Sequence, residues 1–95
     1  MGRKPRLRPK RLAEKLRQVR LGLGLSQTDI LNRLGFDVHY SRISEYELGK
    51  NEPPLPILLR YARLAGVSMD VLVDDELDLP DKFPSMKKRT TKKKG

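Results

Sequence analysis

Cysteine and tryptophan are both absent from this 95-residue chain, and histidine occurs once, at position 39. Without cysteine, neither disulfides nor thiolate metal sites can form, and His39 alone cannot hold a metal ion. Apolar runs stay well short of the roughly 20 residues that span a bilayer, and the first residues lack the apolar segment of a secretory signal. We therefore expect no metal, no cofactor, no membrane partner and a cytoplasmic location.

Aromatic side chains are also scarce, since two Phe and three Tyr make up 5% of the residues. A core must then be built mainly from Leu, Ile and Val. A hydrophobic content of 37% over 95 residues suffices for one small domain. No segment has the alternating pattern of a strand. The composition therefore predicts a single all-α domain without room for a second folded unit.

Charge is plentiful but unevenly placed. Residues 1–20 carry nine basic residues against one acidic, residues 21–81 carry five against eleven, and residues 82–95 carry seven against none, which gives +8, −6 and +7. We divide the chain into a basic N-terminal arm (1–9), a folded domain (10–73) and a flexible segment (74–95) that begins acidic and ends basic. Basic ends of this kind can contact phosphate, or they can act only as solubilising tails.

A well-marked helix start lies in the stretch GLSQTDILNRLG, residues 24–35. Ser26 can cap a helix there, and Asp29 completes a capping box that also favours the positive end of the helix dipole. Gly35 can adopt the left-handed conformation that ends a helix. The pattern predicts a helix over about 27–34.

A second short helix is predicted over about 40–47, within the stretch YSRISEYELGK. Ile43 and Tyr46 give it one apolar face, its other sides are polar, and Gly49 closes it. Two short helices in tandem, the second polar on its outer side, are typical of a helix-turn-helix, in which the second helix presents its N-terminal residues to base edges in the major groove. Sequence-specific binding of double-stranded DNA is therefore the leading hypothesis.

Three further helices complete the predicted bundle. A first helix is expected over about 10–23, and a fourth, within PPLPILLRYARLAG, is expected to end at Gly66. Ser68 is placed to cap a fifth helix that ends at Val73. The residues predicted to face the core recur at helical spacing, namely Leu12, Leu16, Val19 and Leu23 in the first helix, Leu58, Leu59, Ala62 and Ala65 in the fourth, and Val71 or Leu72 in the fifth.

The segments LRQVRLGLGLSQTDILNRLG and ISEYELGKNEPPLPILLRYARLAGVSMDVLV resemble the Cro/repressor-type helix-turn-helix domain (XRE family) of bacterial and phage regulators, over about residues 12–73. The resemblance implies a compact five-helix lambda-repressor-like DNA-binding domain, here with basic N- and C-terminal tails. The signals that carry it are Gly-Leu-Ser-Gln at 24–27, Glu47 and Gly49, Pro53, and Ala62 with Gly66-Val67-Ser68 leading to Leu72.

The resemblance also implies a set of DNA contacts. It places Gln27 on a phosphate, Tyr40, Ser41 and Glu45 on bases, and Arg42, Lys50 and Asn51 on the DNA backbone. Chemically, Ser41 can donate or accept, Glu45 can accept from a cytosine amino group, and Tyr40 can pack on a thymine methyl or bond a phosphate. The alternative is that Glu45 only pairs with a basic neighbour such as Arg42, and that Tyr40 covers the edge of the core.

Two further groups of residues have expected roles. Arg20 and Glu47 match a pair that forms a buried salt bridge between the first helix and the end of the recognition helix in such domains. Arg3, Lys4 and Arg6, in the basic arm, are expected to reach phosphate or an adjacent groove.

The chain departs from the family between the two motif helices, where two more residues separate Gly35 from Glu47 than is usual. Counting back from Glu47 keeps Ile43 and Tyr46 facing the core, so we adopt that register. Leu31 replaces the usual small residue, which predicts a slightly wider angle between the motif helices. His39 is expected to be an exposed loop residue.

Three classes of function compete for this sequence. The first is a transcriptional regulator, a repressor that binds a palindromic operator as a homodimer, formed in solution or only on DNA, and is associated with the nucleoid. The second is an antitoxin or accessory protein that autoregulates its promoter and holds a protein partner at residues 74–84. The third is an enzyme, which we do not expect because no paired carboxylates, activated nucleophile or phosphate-binding loop can be assembled.

Overall fold

Residues 9–35 and 37–84 are described by the structure, a computed structural model. Arg3, Lys4 and Arg6 of the predicted arm, and residues 85–95 of the predicted basic tail, lie outside the described residues. The described part is all-helical, without strands, as predicted. Its five helices are α1 (Leu12–Gly22), α2 (Gln27–Leu34), α3 (Ser41–Leu48), α4 (Leu55–Ala65) and α5 (Met69–Val73).

Local signals explain where α2 begins and ends. The Ser26 hydroxyl accepts a hydrogen bond from the Asp29 backbone N–H at 3.0 Å, and the Asp29 carboxylate accepts one from the Ser26 N–H at 3.2 Å. The hydrogen bond that the carboxylate accepts from the Ser26 backbone, followed by its interaction with the Ser26 side chain, holds the pKa of Asp29 below its ordinary value. Gly35 ends the helix with φ of 74°. The predicted capping box and the left-handed stop are both confirmed.

The start of α5 differs from the prediction. Ser68 occupies the N-cap position in extended conformation, but its side chain makes no capping hydrogen bond. The first turn is closed by the backbone instead, since the Val71 N–H donates to the Ser68 carbonyl at 3.1 Å. A helix of only 5 residues therefore depends on its packing and on contacts at its C-terminal end.

The core lies between α1, α4 and the two motif helices. The buried apolar side chains are Leu12, Leu16, Val19, Ile30, Leu34, Ile43, Tyr46, Ile57, Leu58, Tyr61, Ala62, Ala65, Leu72 and Phe83. The prediction for Leu59 was wrong, because this side chain is 37% exposed, and Leu23 is only half-buried. Tertiary packing centres the buried stripe of α4 on Leu58 and Tyr61, and Leu59 lies past its edge.

The connection between α2 and α3 takes up the extra residues. The Arg42 N–H donates to the His39 carbonyl at 2.9 Å, and the Ile43 N–H donates to the Tyr40 carbonyl at 3.1 Å. These bonds form a tight first turn, so Tyr40 stands at the N-cap and α3 begins one residue later than predicted. His39 is exposed, as predicted.

After α5 the chain turns back along α1, and we call residues 74–84 the strap. The Lys15 side chain reaches into this return. Its ammonium donates to the carbonyls of Val71, Asp74 and Leu77 at 2.7, 2.9 and 2.7 Å. Lys15 is 1% exposed, and burial, followed by the nearby Arg11, lowers its pKa.

The strap also caps the N-terminus of α1. The Asp75 carboxylate accepts hydrogen bonds from the backbone N–H groups of Lys10 and Arg11 at 2.9 and 3.0 Å. The Arg11 guanidinium donates to the Asp75 carbonyl at 2.7 Å and to the Asp78 carboxylate at 2.8 Å. The ring of Phe83 is buried against Gly22. The packed unit therefore extends to Phe83 rather than ending at residue 73, and residues 74–84 are docked where a flexible segment was predicted.

Candidate nucleic-acid interface

One face of α3 is anchored in the core, which determines the face that can meet a ligand. Ile43 is 0% and Tyr46 5% exposed, and both pack among the buried residues of the other helices. Tyr40 and Arg42 are exposed, and Ser41, Ser44 and Glu45 are half-buried. Because the apolar residues are buried, the N-terminal half of α3 turns a polar, hydrogen-bonding surface outward.

A buried ion pair holds α3 against α1. The Arg20 Nε lies 2.7 Å from the Glu47 Oε2, and Nη2 lies 3.1 Å from Oε1, so the two side chains meet by two hydrogen bonds. Their side chains are 13% and 4% exposed. A third bond runs from Arg20 Nη1 to the Leu25 carbonyl at 3.1 Å. The Glu47 hydrogen bond raises the pKa of Arg20, and the pair ties the C-terminal end of α3 to that of α1.

Gln27 begins α2 and is tied to the same carboxylate. Its Nε2 donates to Glu47 Oε1 at 3.3 Å, and the residue is half-buried. The amide nitrogen carries a second hydrogen. Glu47 can therefore hold the amide while that hydrogen donates to a phosphate at the positive end of the α2 dipole. The phosphate contact stays a prediction.

Three consecutive residues form a small cluster where α3 begins. The rings of His39 and Tyr40 stack, with their centroids 4.7 Å apart and an interplanar angle of 27°. His39 Nδ1 lies 3.2 Å from the Ser41 backbone nitrogen and 3.0 Å from the Ser41 hydroxyl oxygen. Tyr40 is 59% exposed, so its ring stands in solvent and does not cover the edge of the core.

Glu45, one turn further along α3, is held by two neighbours. Its Oε1 accepts from Asn51 Nδ2 at 2.6 Å and from Arg42 Nη1 at 3.2 Å. The pairing with Arg42 that we considered as the alternative to base contact is thus present. The two bonds hold the carboxylate in place, and the Arg42 guanidinium offsets its charge. Asn51 is tied to α3 by this bond, and Lys50 beside it is exposed.

The structure thus brings most of the predicted site residues together. Along the outer face of α3 and the turn after it lie Tyr40, Ser41, Arg42, Glu45, Lys50 and Asn51, with Gln27 behind them at Glu47. Sequence reasoning missed His39 as the partner of Ser41 and Asn51 as the partner of Glu45. The position of His39 in the sequence could have indicated its bond, since a ring acceptor two residues before a helix can reach the first N–H of that helix.

Residues 9–35 and 37–84, the part of the chain that the structure describes, lack two other kinds of site. No group of three or more His, Asp or Glu residues is placed to hold a metal ion in that part of the chain. Nor does any helix there combine the length and the apolarity needed to cross a membrane.

Two short helices are joined by the hydrogen bond from Gln27 to Glu47, and the second is held on α1 by the Arg20–Glu47 ion pair and exposed at its N-terminal half. This arrangement defines a helix-turn-helix DNA-binding domain. The model of the helix-turn-helix family matches residues 16–72, so this chain belongs to that family and is a DNA-binding transcriptional regulator. The predicted family resemblance is thereby confirmed.

The fold is shared with a known structure. A solved structure of the SinR protein in complex with the SinI protein is similar, with a TM-score of 0.62 and 20% sequence identity, covering 87% of this chain and 78% of that chain. At this identity the likeness is one of fold. No curated protein matches the chain.

Proposed function

We propose that this protein is a repressor that binds a palindromic operator and acts by binding alone, without catalysis. The observation that carries the proposal is the outer surface of α3, polar and exposed at its N-terminal half while Ile43, on the opposite side, is 0% exposed. A helix held in this way can enter the major groove, about 12 Å wide, without losing its packing.

Ser41 and Glu45 are the base-reading residues in this proposal. They stand one turn apart, so they lie on the same face of α3 and would meet neighbouring base pairs. Tyr40, exposed at the N-cap, would pack on a thymine methyl or bond a phosphate. A carboxylate is normally repelled by DNA, but Arg42 offsets the charge of Glu45 and Asn51 donates a hydrogen bond to it.

Affinity and specificity would come from different parts of the chain. Residues 21–81, which contain both motif helices, carry a net charge of −6, whereas the two ends carry +8 and +7. Phosphate attraction would therefore come mainly from the ends and from Lys50, and base preference from α3. Since one small module reads a half-site, two copies would bind a palindrome.

The test is a binding titration on the DNA upstream of the protein's own gene and on a scrambled duplex of equal length, at low and at near-physiological salt. We expect the upstream DNA to bind more than about a thousandfold more tightly at the higher salt. Equal binding to both duplexes, lost as salt rises, would mean that the basic ends dominate and would refute specific recognition.

A matched pair of variants separates the two roles. Ser41→Ala should weaken binding to the operator by about 1–3 kcal/mol while leaving binding to scrambled DNA unchanged. Lys50→Ala should weaken binding to both duplexes alike. It should also lower the slope of log affinity against log salt concentration by about one. Identical behaviour of the two variants would contradict the assignment of Ser41 to a base.

A second candidate function is that of an antitoxin or accessory protein with a protein partner. It is supported by the docked strap, in which Leu77 is 40% exposed among acidic residues, and by the similar structure, in which SinR is bound to SinI. The discriminating experiment expresses the neighbouring gene alone and together with this chain. Growth arrest that co-expression relieves would favour the antitoxin, and unchanged growth in both cases would favour the repressor.

A further inference from the structure

The cluster at the start of α3 contains the chain's single histidine. His39 Nδ1 faces both hydrogen-bonding groups of Ser41, with 3.2 Å to the backbone nitrogen and 3.0 Å to the hydroxyl oxygen. The stack on Tyr40, 4.7 Å between centroids, keeps the ring in this orientation. An exposed imidazole is thus positioned by contacts on both sides.

The contact with the backbone nitrogen points to one tautomer of the ring. A backbone N–H can only donate, so Nδ1 carries no proton, and the proton of the neutral ring is on Nε2. With the ring proton on Nε2, the Ser41 hydroxyl, 3.0 Å from Nδ1, can only be the donor of that contact, and its proton then shares the single Nδ1 lone pair with the backbone N–H. The hydroxyl oxygen can then only accept a hydrogen bond from a ligand, through its lone pairs.

We propose that His39 makes Ser41 an obligate acceptor and thereby selects bases that carry an exocyclic amino group. In the major groove only adenine N6 and cytosine N4 are donors, whereas guanine and thymine present acceptors. His39 is a positioning residue in this scheme, because it acts through Ser41. The inference rests on the proposed function, since it concerns the base that Ser41 reads.

Glu45 extends the same chemistry along the helix. A carboxylate can only accept, and Glu45 lies on the same face of α3, one turn after Ser41. Its Oε1 accepts from Asn51 and Arg42, so Oε2 is the oxygen that would accept a hydrogen bond from a base. Ser41 and Glu45 then give the α3 surface two acceptors one turn apart. These match two neighbouring base pairs in which adenine or cytosine presents its amino group to the helix.

The first test reads the tautomer without DNA. Because the chain has one histidine, a ¹⁵N spectrum of the imidazole at about pH 8 shows a single ring and reports which nitrogen carries the proton. We expect the Nε2–H form, with Nδ1 shifted by the hydrogen bonds, and we expect the Nδ1 shift to change in Ser41→Ala. A predominant Nδ1–H form would overturn the proposal.

The second test compares base preferences by enrichment from a duplex library with randomised half-sites. It uses the full chain and two matched variants, His39→Asn, whose Oδ1 can accept in place of Nδ1, and His39→Phe, which keeps a ring to stack on Tyr40 but removes the acceptor. Ser41→Ala marks the position that Ser41 reads. Melting curves of all variants check that they fold.

We expect the wild type and His39→Asn to favour adenine or cytosine about tenfold or more at the position marked by Ser41→Ala. In His39→Phe the freed hydroxyl can also donate, so this preference should fall to about twofold while other positions keep theirs. Guanine or thymine at that position in the wild type, or an unchanged preference in His39→Phe, would overturn the proposal.

Two results distinguish this inference from the proposed function. If the wild type enriches a sequence but Ser41→Ala alters no position, the role of His39 is refuted and the regulator remains. If the wild type enriches no sequence at all, both are refuted.

Discussion

The two halves of α1 are joined to the rest of the domain by different chemistry. Near its C-terminus, Arg20 meets the Glu47 carboxylate at 2.7 Å, a joint between two side chains. Near its N-terminus, Lys15 donates to three main-chain carbonyls at 2.7 to 2.9 Å, a joint between a side chain and the backbone. Both cations are largely buried, and both connect segments that are distant in the sequence.

The two joints are expected to affect different properties of the protein, because only the Arg20 joint holds the helix that is proposed to read DNA. The Arg20 joint holds α3, which carries the proposed base-reading residues, so its loss should disturb both folding and DNA binding. The Lys15 joint holds the strap, which lies along α1. Its loss should lower stability and leave base preference unchanged.

The largest effect is expected at the α3 joint. Glu47→Ala leaves the Arg20 guanidinium buried without its carboxylate, which we expect to lower the free energy of unfolding by about 3–5 kcal/mol and to reduce operator affinity in the folded fraction. Urea denaturation gives the stability. The matched control is Arg42→Ala, which removes an exposed pair with Glu45 and should cost about 1 kcal/mol at most. Equal losses in the two variants would contradict a buried architectural pair.

The next effect is expected at the Lys15 joint. Lys15→Met keeps the apolar stem but removes the donor of three carbonyls, so we expect a loss of about 2–3 kcal/mol, with an unchanged base preference. Arg17→Met, an exposed cation on the same helix, controls for the loss of charge. If Lys15→Met altered the enriched half-site, the two joints would not have separate roles.

A smaller effect tests whether the end of the strap is docked. A Cβ at Gly22 would overlap the ring of Phe83, so Gly22→Ala should destabilise by about 1 kcal/mol, although alanine ordinarily favours a helix by about that amount. In a Phe83→Ala background the same change should become stabilising. Thermal melting gives the sign, and faster trypsin cleavage after Lys82 would report undocking. A stabilising Gly22→Ala in the wild type would contradict the docking.

The smallest effect is expected in the stability of the fold at acid pH, through Asp75. Hydrogen bonds from the N–H groups of Arg11 and Lys10 hold the pKa of Asp75 below its ordinary value of 3.8. The charged carboxylate therefore stabilises the fold above that value, and this contribution is lost as pH falls through the lowered pKa. In Asp75→Asn the melting temperature should therefore decrease less steeply as the pH falls through this range. Asp81→Asn, at an exposed carboxylate of the same strap, should not. The same acid slope in both variants would refute the capping role.

Much of the motif could be predicted because its signals are local. The Ser26 and Asp29 capping box lies within residues 26–29, and Ile43 and Tyr46 share a face by helical spacing alone. Leu59 could not be placed from spacing, since the rotation of α4 depends on which neighbours it packs against. The bond of His39 to Ser41 is local too, but its geometry depends on the turn that the connection makes before α3.

Caps, glycine stops and apolar spacing act within a few residues, so they were enough to predict the five helices, the helix-turn-helix and the face of α3 that meets solvent. The return of residues 74–84 along α1 depends on tertiary packing instead. Every residue offers the same main-chain carbonyl, and the three that meet Lys15 lie 56, 59 and 62 positions away. Which carbonyls meet Lys15 therefore depends on the path of the chain and cannot be predicted from a pattern of side chains.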